Sequence, residues 1–202
     1  MGIKIVDKRF SSDNSSVGND LVRYQLQIAK RWQEKGKKSK NIIAKFLFYY
    51  MGFNALYFII EKTHTHKNQK EIDHVRNLLK KNDPMKADKI LDKIMINVKY
   101  FCKRPPIQQM RKRTFASPYK GSEAEGKKYK EILKNTSLPA KDRIVALGQI
   151  LYLVRCNLVH GSKNGSGDDS KIIEMSISPL KIFLEEAMGW VSQEYKITIC
   201  ES

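Results

Sequence analysis

The chain has 202 residues, which at about 150 residues per domain allows one domain with an extension, or two small domains. Apolar residues make up 41% and charged residues 29%, which excludes a collagen-like, compositionally disordered or membrane-embedded chain and indicates a soluble globular protein. The net charge is +17, with 35 basic and 14 acidic residues in 1–164 but 3 and 7 in 165–202. Such a basic body attracts polyanions, and the alternative is merely a soluble lysine-rich surface.

Targeting and cysteine signals are weak. The longest apolar run, residues 46–60, is too short to span a bilayer, and the N-terminus lacks the apolar region and cleavage site of a signal peptide. Cys102, Cys156 and Cys200 form no CxxC pair, which favours reduced thiols over disulfides or a zinc site. We therefore expect a cytoplasmic protein with no membrane partner, no metal and no cofactor.

Helical periodicity dominates the sequence and predicts an all-α protein, an antiparallel helical bundle forming a single domain over residues 1–202. The second helix is apolar on nearly all sides and should be central. In the first half of the chain we expect helices at 21–35, with Asp20 as N-cap and Gly36 as stop, at 41–62, at 68–81 and from Pro84 to Pro105. In the second half we expect a short polar helix at 123–134, a helix from Pro139 to Gly161, and a last helix from Asp168 that Pro179 kinks or splits. Short strands are possible at 3–6 and 195–199, and residues 103–136 form a basic, partly irregular insertion.

The most unusual segment closes the helix that Pro139 opens. Arg155, Asn157 and His160 interrupt an otherwise apolar run that ends at Gly161. Buried polar groups are costly unless they are paired, so each of these side chains needs a partner or a function. In the structural interpretation, Arg155 makes an ion pair with an acidic neighbour, Asn157 bonds to backbone, and His160 caps the helix end.

This segment, Val154-Arg-Cys-Asn-Leu-Val-His-Gly161, together with Phe48-Tyr-Tyr-Met-Gly-Phe-Asn-Ala-Leu-Tyr57, resembles the HEPN superfamily (higher eukaryotes and prokaryotes nucleotide-binding). The hallmark of that family is an Arg followed, after four to six residues, by a His. Four residues separate Arg155 from His160. The resemblance covers roughly residues 20–62 and 139–192, so the basic middle of the chain lies outside it.

The resemblance implies a metal-independent endoribonuclease of toxin-antitoxin, antiviral defence or RNA-processing systems, built as a dimer of helical bundles. The matching positions are Arg155 and His160. It also implies an antitoxin or a nucleotidyltransferase-type protein as a possible partner. One departure is visible, because Cys156 stands where the family usually has a polar residue directly after the Arg.

These residue types suit cleavage of RNA by attack of the 2′-hydroxyl on the adjacent phosphate. A histidine titrates near neutral pH and can accept or donate the proton, so we assign proton transfer to His160. The planar fork of Arg155 matches phosphate oxygens and stabilises charge in the transition state. Asn157 then orients the phosphate or the imidazole.

Helix geometry favours a dimer. On an ideal helix Arg155 and His160 lie about 140° apart, whereas Asn157 and His160 lie about 60° apart. One chain therefore cannot easily aim Arg155 and His160 at one phosphate unless the last turn unwinds. A homodimer with the Arg155–His160 segments at its interface solves this and supplies two histidines.

Basic residues outside the motif are candidates for RNA binding. Tyr100, Phe101 and Phe115 are interspersed among several of them and could stack on bases, although a solvated basic loop is equally consistent. The candidate RNA-binding residues are Lys103, Arg104, Arg111, Lys112, Arg113 and Lys163.

Other functions have less support. His64, His66 and His74 suggest a metal site, but no acidic or Cys ligand cluster joins them and a solvated loop is favoured. A catalytically inactive HEPN-type module that binds RNA or a partner is the first rival function, because of Cys156. A DNA-binding regulator is the second, although the tight helix-turn-helix spacing it requires is not found.

Overall fold

The computed structural model describes residues 14–63, 71–81, 84–104, 121–159 and 168–197. All regular elements in these ranges are α-helices, so the predicted all-α bundle is confirmed. The eight helices of the described residues are α1 (Asn14–Lys38), α2 (Ile42–Thr63), α3 (Glu71–Lys80), α4 (Pro84–Lys93), α5 (Met95–Lys103), α6 (Gly121–Lys134), α7 (Ala140–Val159) and α8 (Asp168–Glu194).

Helix α2 is central, as predicted, and packs against α1, α3 and α8. Its side chains Phe46, Phe53 and Leu56 are at most 1% exposed. Gly52 of α2 lies where α2 meets both α1 and α8. A Cβ atom at this position would be 3.0 Å from Leu184 of α8 and 3.1 Å from the carbonyl oxygen of Ala29 of α1. A residue without a side chain is what this close approach requires.

Helix α1 is longer than predicted and forms an antiparallel hairpin with α2. It begins at Asn14 and runs to Lys38, so the predicted N-cap Asp20 and stop Gly36 both lie inside it. Asp20 instead makes an exposed ion pair of 3.5 Å with Arg23, one turn later. Capping and stop residues only bias a helix end, and a long partner helix offers packing that outweighs them.

Helix α3 lies antiparallel to α7 and approaches it very closely. Leu79 lies directly over Gly148, where its side chain would overlap a Cβ atom. The next residue of α7, Gln149, is buried, and its amide, with the oxygen turned toward α3, accepts hydrogen bonds from Arg76 Nη2 at 3.0 Å and Nε at 3.2 Å. This register brings Glu71, the first residue of α3, beside the last turns of α7.

The helix predicted from Pro84 onward is two helices. Pro84 is the first residue of α4, where its missing N–H costs nothing. The break falls at Ile94, whose N–H is shared at 3.2 Å between the carbonyls of Ile90 and Leu91. Ile94 is fully buried, so both halves keep their apolar side on the core despite the break.

The predicted polar helix of the insertion is confirmed as α6, and it forms a hairpin with α7. Residues 135–139 after α6 form no helix or strand, while 105–120, the larger part of the predicted irregular insertion, lie outside the described residues. Arg143 Nε donates a hydrogen bond of 3.1 Å to the carbonyl oxygen of Leu133, which fixes the hairpin.

Pro179 was predicted to kink or split the last helix; it lies inside α8, which runs on through it, so the split does not occur. A proline removes the N–H that would bond to the carbonyl four residues earlier, here that of Met175. In its place Asn97 of α5 donates a hydrogen bond of 2.8 Å from Nδ2 to that carbonyl oxygen. A tertiary contact thus satisfies the group that the proline leaves without its usual donor.

The strand predicted at 195–199 is not formed in its described part. Residues 195–197 instead close α8, with Lys196 at φ 51° and a 2.9 Å hydrogen bond from the N–H of Ile197 to the carbonyl of Ser192. This is a Schellman C-cap, and the buried Ile197 provides its apolar contact. The strand predicted at 3–6 lies outside the described residues.

No helix within the described ranges combines the length and apolar character needed to cross a membrane.

Candidate functional site

The structure describes only part of the predicted site. Arg155 and Asn157 lie in the last turns of α7, and Lys103 and Arg104 lie at the end of α5. The other predicted site residues lie outside the described residues; these are His160, Lys163, Arg111, Lys112 and Arg113.

Arg155 is held by an acidic residue of another helix. Its Nη1 lies 3.5 Å from Glu71 Oε2, and the two side chains are 26% and 28% exposed. The antiparallel packing of α3 on α7 makes this contact possible, since it sets the first turn of α3 beside the end of α7. The ion pair expected in the structural interpretation is therefore present, but the guanidinium keeps an accessible edge.

Two tyrosines of α2 complete the surroundings of this ion pair. The Arg155 guanidinium lies 5.7 Å from the centre of the Tyr50 ring, within cation–π range. The Tyr57 hydroxyl donates a hydrogen bond to Glu71 Oε1. Both carboxylate oxygens of Glu71 are thus engaged, which fixes the orientation in which Glu71 meets Arg155.

Helix α7 contributes a further phenol and a thiol one turn apart. Tyr152 and Cys156 are half-buried, and each interacts with the other and with Arg155. We call the set the Arg155 cluster, and its members are Tyr50, Tyr57, Glu71, Tyr152, Arg155 and Cys156.

Burial controls the ionisation of this cluster. Burial raises the pKa of Tyr50 well above its ordinary value, and the Glu71 carboxylate adds to the rise while Arg155 opposes it. The pKa values of Tyr57 and Tyr152 are also raised, first by burial. For Arg155, burial by itself would lower the pKa, but Glu71 together with Cys156 and Tyr50 outweighs burial, and the net shift of the pKa is upward. The cluster therefore holds neutral phenols around one permanent cation.

Asn157 occupies a different environment from Arg155. It is 1% exposed, whereas Arg155 lies at the surface of the bundle. A side chain this deeply buried reaches a bound polymer only through its neighbours. Of the two predicted roles for Asn157, its burial favours orienting a neighbouring group over direct contact with phosphate.

Lys103 and Arg104 are exposed but lie away from the Arg155 cluster. The thiol of the preceding residue, Cys102, is within electrostatic range of Arg143 at the beginning of α7. Arg143 and Arg155 are about 18 Å apart along the helix axis, at 1.5 Å per residue. The two parts of the predicted site that the structure describes therefore lie toward opposite ends of α7.

Two further predictions about side chains are wrong. Phe101, proposed as a stacking surface for bases, is fully buried in the core. His74, expected in a solvated loop, is 5% exposed in α3, where its ring stacks on Tyr57 at 6.1 Å and 8°. His74 lies on the apolar, buried side of α3, and the Tyr57 ring provides its stacking contact.

Among the described residues, no group of three or more His, Cys, Asp or Glu side chains is arranged to hold a metal ion. His64 and His66 lie outside those residues. Tyr50 and Tyr57 are 3% and 4% exposed, so the partly exposed hydrogen-bond donors of the Arg155 cluster are the Arg155 guanidinium and the Tyr152 hydroxyl. A guanidinium with an accessible edge suits an oxyanion such as a phosphate, because its N–H groups donate charge-assisted hydrogen bonds.

Sequence reasoning missed Glu71, Tyr50 and Tyr57. A signal for the tyrosines was present, since two phenols seven residues apart on an apolar helix share a face and buried hydroxyls need partners. No signal for Glu71 was available, because its position depends on how α3 docks on α7, and residues 64–70 before it carry no pattern that fixes this.

Comparison of the chain with protein-family models, with curated proteins and with solved structures finds no match in any of the three.

Proposed function

We propose that this protein is a metal-independent endoribonuclease that cleaves single-stranded or loop RNA by 2′-hydroxyl transesterification. The observation that carries the proposal is the placement of Arg155. Its guanidinium is oriented by Glu71, is 26% exposed, and stands five residues before His160. An oriented, accessible and permanently charged fork at the end of a helix is suited to bind a phosphodiester.

Arg155 supplies charge to the transition state. The guanidinium has five N–H donors, so one contact of 3.5 Å to Glu71 leaves further donors for phosphate oxygens. The developing phosphorane carries more negative charge than the diester, so it is bound more strongly than the substrate.

His160 carries the proton transfers. One copy accepts the proton of the 2′-hydroxyl as the 2′-oxygen attacks phosphorus, and a second copy donates a proton to the departing 5′-oxygen. The products are a 2′,3′-cyclic phosphate and a 5′-hydroxyl, so no metal or water enters this step. The need for two copies is the reason that a homodimer with the Arg155–His160 segments at its interface belongs to the proposal.

The biological setting follows from the resemblance. We propose a cytoplasmic toxin or antiviral defence effector that an antitoxin or a nucleotidyltransferase-type partner keeps in check. A nuclease that needs no metal has no cofactor whose supply could limit it, so control by a partner is the expected form of regulation.

An RNase assay in EDTA tests the proposal. Wild-type protein should cleave oligoribonucleotides, whereas His160→Ala and Arg155→Lys should lose at least about tenfold in kcat, because a lysine keeps the charge but not the planar fork. Lys86→Ala, a change at an exposed residue of α4, is the control and should cleave like wild type. Equal cleavage by wild type and His160→Ala would contradict the assignment.

The alternative is an inactive HEPN-type module that binds RNA or a partner. Two observations favour it: Cys156 replaces the usual polar residue, and Glu71 already neutralises Arg155. It predicts no cleavage by the wild type in EDTA or in Mg²⁺, together with RNA binding that His160→Ala does not change.

A further inference from the structure

The positive charge of the described helices is concentrated on α1 and the turn that follows it. Residues 21–45 contain eight Lys and Arg but one acidic residue, a net charge of +7. The net charge of α1 itself is +4, whereas each of the other described helices lies between −4 and +2.

The exposed residues of α1 form one continuous face. Arg31, Lys35 and Lys38 fall, together with Tyr24, within an arc of about 60° on an ideal helix, and all four are exposed. From Tyr24 to Lys38 the face is about 21 Å long, at 1.5 Å per residue. This line of side chains is called the α1 face below.

The acidic residues of α1 engage other cations. Glu34 bonds to Lys37 at 2.7 Å, and Asp20 lies 3.5 Å from Arg23. Between Tyr24 and Lys38 no acidic residue falls within the arc of the α1 face, although Glu34, about 40° outside it, is within electrostatic range of Lys38. Such an array attracts a polyanion, and binding is favoured by release of the counterions condensed on it.

Aromatic rings accompany these cations. Tyr24 is 57% exposed, so its ring is accessible to a ligand. Trp32 is half-buried, stacks on Phe48 of α2 at 5.5 Å and carries the Lys35 ammonium 4.3 Å from its ring centre. Tyr24 thus stands at one end of the row of cations and Trp32 lies about 60° to one side of it. Aromatic rings beside a row of cations suit single-stranded nucleic acid, whose bases stack on the rings while its phosphates pair with the cations.

We propose that the α1 face is a binding surface for single-stranded RNA, separate from the Arg155 cluster. The choice of RNA among polyanions rests on the proposed function, whereas the choice of a single strand rests on the aromatic rings. Phe48 contacts α1 and Tyr50 contacts Arg155, and these two residues lie about 200° apart around α2. The α1 face and the Arg155 cluster are therefore on opposite sides of the central helix, and the α1 face holds the strand without taking part in cleavage.

The first test is binding of a 2′-O-methyl oligouridylate of about 12 nucleotides, a length within the range that one stacking surface covers. This probe lacks the attacking hydroxyl, so binding is measured whether or not the protein cleaves RNA. The α1 variant is the triple substitution Arg31→Gln/Lys35→Gln/Lys38→Gln. We expect it to bind the probe at least about tenfold more weakly at about 100 mM salt. The slope of log K against log salt should fall in magnitude by about 2, because each lost phosphate contact removes roughly 0.7.

The matched control is Lys86→Gln/Lys89→Gln/Lys93→Gln. These three lysines are also exposed, but Asp88 and Asp92 lie among them on α4. The control removes the same charge, so a general electrostatic effect would weaken both triple variants equally. Equal loss of affinity and equal salt slopes in the two variants would overturn the proposal.

Tyr24 provides an independent test. Tyr24→Ala should weaken binding about fivefold or more without changing the salt slope, whereas Tyr24→Phe keeps the ring and should bind like wild type. Tyr24→Ala binding like wild type would overturn the stacking part. Two outcomes would overturn RNA as the occupant of the α1 face. One is that the wild-type protein binds duplex DNA more tightly than the oligouridylate. The other is that the α1 variant loses binding to phosphatidylserine vesicles but keeps its binding to RNA.

These outcomes are distinguishable from failure of the proposed function. If His160→Ala cleaves like wild type, the catalytic proposal fails while the binding results stand. If the α1 variant binds like wild type while His160→Ala is inactive, the α1 proposal alone fails. In cleavage assays the α1 variant should raise KM and leave kcat unchanged.

Discussion

Asn97 of α5 donates its amide hydrogen bond of 2.8 Å to the carbonyl oxygen of Met175, the group that Pro179 deprives of its usual donor. The contact joins two helices that are far apart in the chain, and Asn97 is 9% exposed. A proline in the interior of a helix normally bends or ends it. Here α8 continues because another helix supplies the missing hydrogen bond.

We expect Asn97→Ala to lower the free energy of unfolding by about 1–3 kcal/mol, since it leaves a buried carbonyl unsatisfied. In a Pro179→Ala background the same change should cost less, because the alanine N–H can bond to Met175. Urea denaturation of the two single variants and the double variant measures the coupling. Additive losses would show that Asn97 does not compensate for the proline.

The close approach of α3 and α7 predicts a second stability effect. Gly148→Ala should lower the free energy of unfolding by about 1–3 kcal/mol, because the new methyl group would overlap Leu79. Gly189→Ala is the matched control, since nothing lies within 4 Å of its Cβ position, and it should stabilise α8 by about 0.5–1 kcal/mol. Thermal melts showing a loss in the control as large as in Gly148→Ala would contradict this explanation.

Glu71 is expected to act as a positioning residue for Arg155. Glu71→Gln can still accept the Tyr57 hydrogen bond but no longer holds the cation, so kcat should fall about tenfold while KM is not raised. Stability should change by less than about 1 kcal/mol, because the pair is partly exposed. Asp73→Asn, which removes the 3.0 Å ion pair with Arg76 on the same helix, is the control. A rise in kcat for Glu71→Gln would mean that Glu71 restrains Arg155.

Alkaline pH should destabilise the fold through Tyr50. Burial raises the pKa of Tyr50 well above its ordinary value of about 10, so above that pH the folded state retains a proton that the unfolded chain has lost. The stability contribution is thus complete below about pH 10 and decreases as pH rises, by up to about 1.4 kcal/mol per pH unit. Tyr50→Phe should flatten this dependence in urea titrations between about pH 9 and 11. An unchanged pH dependence in that variant would contradict the prediction.

The sequence was sufficient for the helices and for the central place of α2. Apolar spacing located Phe46, Phe53 and Leu56 in the core, because burial of one helix face is a local property of the pattern. Helix ends were less predictable: Asp20 and Gly36 have the residue types of a start and a stop but lie within α1. The packing of α1 along α2 decided the length of the helix.

The site was predictable in its motif but not in its surroundings. Arg155 stood out because a cation in an apolar helix needs a partner, and an ion pair was one of the interpretations given. The partner Glu71 could not be named, because it lies 84 positions earlier in the chain and meets Arg155 only through helix docking. Pro179 illustrates the same limit, since only the docked α5 supplies the hydrogen bond that keeps α8 continuous.

The uneven distribution of charge has a kinetic consequence. Among the described helices, α1 carries +4 and α8 carries −4, so their charge is unevenly distributed. If the α1 face binds RNA as proposed, its cations attract an approaching strand before contact is made. Association should therefore be fast in dilute buffer and slow steeply as added ions shorten the Debye length.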